Sequence, residues 1–358
     1  MFKVCIISCG MITNAAPIPA YKMFPEDFEI VGVCDINEQS ARDTAERNGI
    51  KSYYTDAEEM LREQKPDVVS VCVPNCFHRE YTIMALNHGA NVLCEKPLAF
   101  TKKDAEEMYT CAMKNGKLLM ACQSMRFTPD RLAAKKYIND GNFDDVYYGE
   151  FSRVRRRGIP TWGAFHIKKI SMGGAFIDIG VHMLDALVWL MGFVPIKAVS
   201  AVTGQNHKYE TGSLEGSGAL TGEVHNARNF NPDEMDVEDF SSGTLEFQNG
   251  AIVSFKVAWA MNLPEESSIT LVSKKAGMKI PDGTIYFGED GEDTLKTEPL
   301  LYDVKFPGHI YVIDNLRQVL KGEAEPVVTP EETINVSTII EMFYKSAEAG
   351  REVTFDEI

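Results

Sequence analysis

One run constrains the rest of this chain more than any other: Gly173-Gly174-Ala175-Phe176-Ile177-Asp178-Ile179-Gly180-Val181-His182-Met183-Leu184-Asp185-Ala186-Leu187-Val188-Trp189-Leu190-Met191-Gly192. Read as a helix, it is apolar nearly all round, and such a helix has to be buried inside the fold. Within it Asp178, His182, Asp185 and Trp189 fall at i, i+4, i+7 and i+11, which places them on one stripe. Three ionisable groups on a buried stripe need partners or a wet cleft, because a buried unpaired charge is very costly. A satisfied structural network would account for any one of them. As a set, entered through a Gly-Gly step that lets backbone approach closely, they predict the wall of an active site and hence an enzyme.

The first third of the chain reads as alternating strands and helices. Residues 3–7 are a short apolar run suited to a strand buried on both faces. It leads into Ser8-Cys9-Gly10-Met11-Ile12-Thr13, where a dinucleotide-binding turn would carry Gly-x-Gly-x-x-Gly. Only the middle glycine is present, and a plain strand-to-helix turn is the default for such a segment taken alone. The next apolar strand, residues 30–34, ends in Asp35, where a carboxylate would hold ribose hydroxyls and repel a 2′-phosphate, favouring NAD over NADP. A helix cap before Glu38–Asn48 is the alternative role for Asp35. Strands follow at 67–73, 90–94 and 117–121. Helices are predicted over about 56–64 and 78–87, the second stopped by Gly89, and Thr101 with Asp104 has capping-box-like spacing. Ligands of doubly wound sheets gather at the carboxyl ends of strands. Gly10, Asp35, Pro74-Asn75 and Glu95-Lys96 all sit at such ends.

A length of 358 residues suggests two domains, expected at 1–123 and 124–358. Beyond Gln123 the pattern changes: a helical connector over 130–140, then a strand-like stretch over 146–156. Arg155-Arg156-Arg157-Gly158-Ile159-Pro160-Thr161-Trp162-Gly163 combines turns with an aromatic. Singly these arginines read as a solvated rim; together with Trp162, the run 153–157 suggests a polar, ring-shaped ligand stacked on an aromatic face. Strand-like stretches at 196–203, 237–247, 251–262, 268–272 and 284–287, with turns such as Gln248-Asn249-Gly250, predict hairpins and an antiparallel sheet. The polar span 204–235 reads as a surface loop, a lid or a subunit contact. A large sheet covered on one face by the 173–192 helix leaves its other face for a second subunit, so a homodimer or homotetramer is expected. Two helices, about 309–321 and 331–349, close the chain, with Gly350 as the stop.

The formal charge of −16 argues against nucleic acid or an anionic membrane as partner, since both call for basic patches. No run approaches the roughly 20 apolar residues that span a bilayer, and the N-terminal segment lacks a signal-peptide pattern. All eight cysteines precede residue 123, none at Cys-x-x-Cys spacing. Free thiols in a reducing cytoplasm fit best. A metal on Asp178, His182 and Asp185 is not expected, because this set offers one histidine and no second ligand strand.

Taken together, Ile7-Ser8-Cys9-Gly10-Met11-Ile12, Asp35, Pro74-Asn75 with His78, Glu95-Lys96-Pro97, Arg126-Phe127, the 173–185 run, Val237-Glu238-Asp239-Phe240 and the ending 330–351 resemble the Gfo/Idh/MocA family, the glucose–fructose oxidoreductase and inositol dehydrogenase relatives. The resemblance covers essentially the whole chain. Glu-Lys-Pro with Asp-x-Gly-x-His-x-x-Asp is its most specific part. Ser8 and Thr13 depart from the pattern, which usually carries glycine or alanine there. The resemblance implies an α/β protein: an N-terminal Rossmann sheet plus a C-terminal α+β domain with a large, mostly antiparallel open sheet. It implies hydride transfer between a secondary alcohol of a sugar, glycoside or cyclitol and NAD. Ser8, Gly10, Met11, Ile12, Asp35, Pro74, Asn75, His78, Glu95, Lys96 and Gln123 would then serve the cofactor, and Arg126, Arg155, Trp162, Asp178 and His182 the substrate. Lys96, His182 and Asp178 would carry the chemistry, His182 as general base and Lys96 against developing alkoxide charge. Some relatives give the proton to the lysine. Others use tightly bound NAD to cleave glycosides by transient oxidation, or bind dinucleotide as regulators without turnover.

Overall fold

The computed structural model describes residues 1–209, 230–288, 294–303 and 307–358. Six strands form the first sheet: β1 (Phe2–Ile7), β2 (Phe28–Cys34), β3 (Tyr53–Tyr54), β4 (Val68–Val71), β5 (Asn91–Glu95) and β6 (Leu119–Cys122). They are parallel, in the order β3-β2-β1-β4-β5-β6. This is the doubly wound arrangement, whose ligand crevice opens where the strand order reverses, between β1 and β4. Helices on both faces bury runs such as Val4–Ile7 and Val68, Val69 and Val71. Local side chains set the helix ends: Asn37, Asp56 and Thr101 each accept a backbone N–H at an N-terminus, and Gly49 and Gly116 close helices in the left-handed conformation.

The second sheet has nine strands: β7 (Tyr148–Val154), β8 (Ile196–Gly204), β9 (Phe240–Phe247), β10 (Ile252–Ala258), β11 (Glu266–Val272), β12 (Ala276–Ile280), β13 (Thr284–Phe287), β14 (Lys296–Pro299) and β15 (Val353–Thr354). Their order is β14-β13-β12-β11-β7-β10-β9-β8-β15. Neighbours are antiparallel except β7 and β10, which run parallel. The chain leaves β7 through the buried helix before it re-enters the sheet, which is the long crossover that a parallel pair requires. Fold class and the mostly antiparallel second sheet therefore agree with the sequence reading. Strands β12, β14 and β15 are additions to it: β12 shows its alternation in Ala276, Met278 and Ile280, whereas β15 is two residues long and has no pattern to read.

One face of the second sheet packs against the central helical run and the helix Pro330–Ala349, joined in a single apolar core. By length and composition, residues 168–191 could cross a bilayer, but 83% of the qualifying window is buried inside this fold. The opposite face is polar, with Tyr148, Glu150, Ser254, Lys256, Glu266 and Ser268 along its strands. The helix Gly308–Leu320 returns to the first domain: Val312, Ile313 and Leu316 join its core, and Arg317 and Lys321 pair with Asp27. The loop expected over 204–235 falls mostly on residues 210–229, outside the described residues.

Candidate active site

The central helix begins at a close backbone contact. The Glu238 carboxylate accepts the N–H of Gly174 (2.9 Å) and of Phe176 (3.1 Å), and the Tyr344 hydroxyl donates to it at 2.9 Å. A Cβ on Gly174 would stand 1.9 Å from the Glu238 carbonyl oxygen, and one on Gly173 1.9 Å from the Tyr344 hydroxyl oxygen. Only glycines fit there. Burial pushes the Glu238 pKa up, against these donors. A carboxylate at a helix N-terminus also meets favourable partial charge. No local signal in Glu238 itself announces this role.

From there the run is not one uniform helix. Phe176–Gly180 forms a π turn that continues into the α-helix Val181–Met191. One extra residue in a turn offsets the downstream side chains by roughly 100°. His182, Asp185 and Trp189 lie beyond the π turn on one uninterrupted α-helix and keep their common face, so the turn shifts only their phase relative to Asp178 and the residues before it. Asp178 and His182 stay on the side that faces the first domain. Lys96, at the end of β5, donates to the Asp178 carbonyl (2.7 Å) and to its Oδ1 (3.3 Å). Trp259, fully buried, donates from Nε1 to Asp178 Oδ2 at 2.9 Å. His182 makes no hydrogen bond among the described residues, and its Nδ1 is buried and unbonded. Burial, then the charges of Lys96, Arg153, His309 and Arg131, hold its pKa well below the usual histidine value. At neutral pH the imidazole is uncharged.

Asp185 and Trp189, one and two turns further along, meet Arg126. Asp185 accepts from Arg126 Nε and Nη2 at 2.7 and 2.6 Å; Arg126 Nη1 donates to Glu332 and to the Val327 carbonyl, and the guanidinium lies over Trp189. Arg126 and Asp185 are 0% exposed. Burial alone would lower the Arg126 pKa; the carboxylates of Asp185 and Glu332 outweigh it and raise it. Arg126, expected to touch substrate, is instead the centre of a buried ion triad, and Asp185 belongs with it.

On the first domain, the strand ends converge as expected. Ser8 adopts a positive φ of 84°, a conformation glycine normally supplies, and the Thr13 hydroxyl donates to its carbonyl at 2.9 Å. The two departures from the glycine pattern thus support one another. Gly10 leaves open approach: a Cβ placed there would meet nothing nearer than Ser8 Oγ at 3.7 Å. Met11 and Ile12 follow at the start of a short helix. Asp35 Oδ2 accepts the Cys9 N–H (2.8 Å) and Oδ1 that of Asn37 (2.9 Å), tying the second strand end to the turn. Pro74 precedes the turn that carries Asn75, whose amide donates to the Ser171 carbonyl across the domains. Gln123, 1% exposed, has neither amide nitrogen nor oxygen bonded. At the carboxyl ends of β1, β2, β5 and β6, the open turn at Ser8 and Gly10, the Asp35 and Glu95 carboxylates and the orphaned Gln123 carboxamide are groups that could hold a dinucleotide. His78 does not fit that role. It is buried with its two ring nitrogens at 2.7 and 2.9 Å from the Pro97 and Val73 carbonyls, so it positions backbone. His309, which no local signal announces, comes from the returning helix to 3.6 Å from Glu95, and with Lys96 it outweighs burial to lower the Glu95 pKa.

Three arginines stand near this site: the charges of Arg153 and Arg131 reach His182, and Arg155 feels the field of Asp178. Arg155 is 7% exposed, its Nη1 donates to the Gly158 carbonyl and its Nε is unbonded. Arg131, 4% exposed, binds Thr128 and Asp130. Arg153 stands on β7, and Arg155 follows just past the strand's end. Trp162, 6% exposed with Nε1 unbonded, meets Phe165 edge-on.

Residues 2–123 match the oxidoreductase family, NAD-binding Rossmann fold, and residues 132–279 match the GFO/IDH/MocA C-terminal domain. The chain is 34% identical over 354 residues to D-glucoside 3-dehydrogenase of Escherichia coli (strain K12), covering 98% of this chain and 97% of that protein. It is 26% identical over 323 residues to 1,5-anhydro-D-fructose reductase of Ensifer adhaerens, covering 86% and 85%. The fold is shared with an aldose-aldose oxidoreductase from Caulobacter crescentus complexed with glycerol, at a TM-score of 0.77, 21% identity and 99% coverage of both chains.

Proposed function

The chain belongs to the Gfo/Idh/MocA family of NAD-binding oxidoreductases, and from that premise we propose that it oxidises a secondary alcohol of a sugar, glycoside or cyclitol. One observation carries the reading: Lys96 is fixed on Asp178, and an uncharged, unbonded His182 stands one turn further along the same helix. Bound NAD supplies the hydride acceptor. Oxidation also requires the hydroxyl proton to leave, and His182 takes it, being neutral at working pH. The Lys96 ammonium donates to the same oxygen and stabilises the negative charge that develops there. Asp178 holds Lys96 in place and is itself fixed by Trp259. A dehydrogenase that acts on D-glucosides, 34% identical over nearly the whole length, supports the substrate class.

Purified protein mixed with NAD and a panel of sugars, inositols and glycosides is expected to form NADH, read at 340 nm, with one of these classes. NAD-saturated protein that forms no NADH with any of them, and releases no bound NADH on denaturation, would remove this reading. The outer face of the nine-stranded sheet, opposite the helices, leaves room for assembly into a homodimer or homotetramer, which sedimentation analysis tests: a monomer at micromolar concentration rules it out. Eight unpaired cysteines support a reducing, cytoplasmic setting.

A further inference from the structure

We propose that the substrate carries an oxyanion, a carboxylate or a phosphate monoester, beside the alcohol that is oxidised, and that Arg153 and Arg155 bind it. The proposal rests on the dehydrogenase reading and narrows its substrate. The placement follows from strand register. Arg153 pairs with Val257 on β10 and with Ser267 on β11. Val257 packs where Gly180 lacks a side chain, and the Ser267 hydroxyl lies 3.8 Å from Met183 Sδ. Arg153 therefore faces the helix segment 180–183, which holds His182. Arg155 lies just past the end of β7, where the field of Asp178 reaches it. Its stem lies over Gly158, where a Cβ would come within 2.5 Å of Arg155 Cδ, and its Nη1 donates to the Gly158 carbonyl.

Charge balance separates these two residues from the other cations here. Lys96 has Asp178 at 3.3 Å and Arg131 has Asp130 at 3.4 Å. Arg126 has two carboxylates. Among the described residues Arg153 has no hydrogen bond or ion pair, and Arg155 has only a carbonyl. Two carboxylates act on both through their fields: Asp178, which Lys96 already holds, and the exposed Glu265; neither lies within ion-pair distance of either arginine. Burial lowers the pKa of both guanidiniums despite these fields, as for charges held out of water without a bonded counter-ion. A planar guanidinium recognises carboxylate or phosphate through paired N–H donors. An anionic substituent supplies the missing counter-charge.

Two measurements test this. NADH formation is compared within matched pairs: 4-nitrophenyl β-D-glucoside against its glucuronide, and D-glucose against glucose 6-phosphate. The anionic member of one pair is expected to have the higher kcat/KM, by about 100-fold, the order expected for a desolvated charge pair. Which pair responds separates carboxylate from phosphate. Independently of turnover, calorimetric titration of D-glucuronate and glucose 6-phosphate into NADH-loaded protein is expected to show binding that weakens at least tenfold in Arg153→Gln and partly recovers in Arg153→Lys. Equal or better use of the neutral members, or calorimetric binding unchanged by Arg153→Gln, overturns the proposal. Binding that depends on Arg153 in a protein that forms no NADH would keep the anion site and remove the dehydrogenase reading instead.

Discussion

Two stretches of the central helical run, a cleft flank at Asp178 and His182 and a core flank one turn on at Asp185 and Trp189, handle charge in opposite ways. On the core flank, Asp185 and Glu332 are both bonded to Arg126, and all three are buried. On the flank turned to the cleft, Asp178 serves Lys96, His182 is left uncharged and unbonded, and Arg153 lacks a partner among the described residues. Both flanks come from one apolar run. A triad in which a buried guanidinium bonds two carboxylates fixes how elements pack. A flank with unmatched donors and a base kept neutral has capacity left for a ligand. Neutralisation, more than the mere presence of charged residues, separates structure from chemistry here.

That contrast can be broken in order of expected effect. Lys96→Met should lower single-turnover NADH formation by about 10²–10⁴-fold while NAD still quenches or shifts intrinsic fluorescence on titration. A wild-type rate in this variant places the chemistry elsewhere. Arg126→Met should cost about 3–5 kcal/mol of stability in denaturant unfolding, because it strands buried Asp185 and Glu332. If stability is unchanged, the core flank is not the structural one. A smaller effect comes from pH. Burial lowers the pKa of both His78 and His182, so below about pH 6.5 the unfolded chain binds protons that the folded chain does not. Stability is therefore full above that value and falls as pH drops through it, by at most about 1.4 kcal/mol per pH unit for each histidine. Thermal midpoints measured from pH 7.5 to 5 should show this decline, and it should be shallower in His182→Asn. A flat profile in wild type would mean that neither histidine is held neutral.

The doubly wound sheet is legible in the sequence because parallel strands buried on both faces are continuous apolar runs, and because the site residues Asp35 and Lys96 fall at strand ends, which chain order alone marks. The buried central helix is legible from composition. The partners along it are not: the helical period puts His182 and Asp185 on one stripe, and nothing in the residue types says that one meets the cleft and the other Arg126. Arg126 reads as a substrate contact because its two carboxylates are 59 and 206 residues away in sequence. His309 and Glu238 are unreadable for the same reason, each acting on a partner brought close only by the finished fold. Arg153 lies within a run conspicuous for its charge, but only sheet register shows which arginines turn inward.

The most direct test of this division is His182→Asn, with NADH formation followed in a single turnover and the thermal midpoint measured at pH 7.5 on the same preparation. The separation of flanks predicts hydride transfer slowed by at least about 100-fold in a protein whose midpoint stays at or above that of wild type, because no bonded group has been removed. A wild-type rate, or a midpoint that collapses as Arg126→Met is expected to collapse, would contradict it.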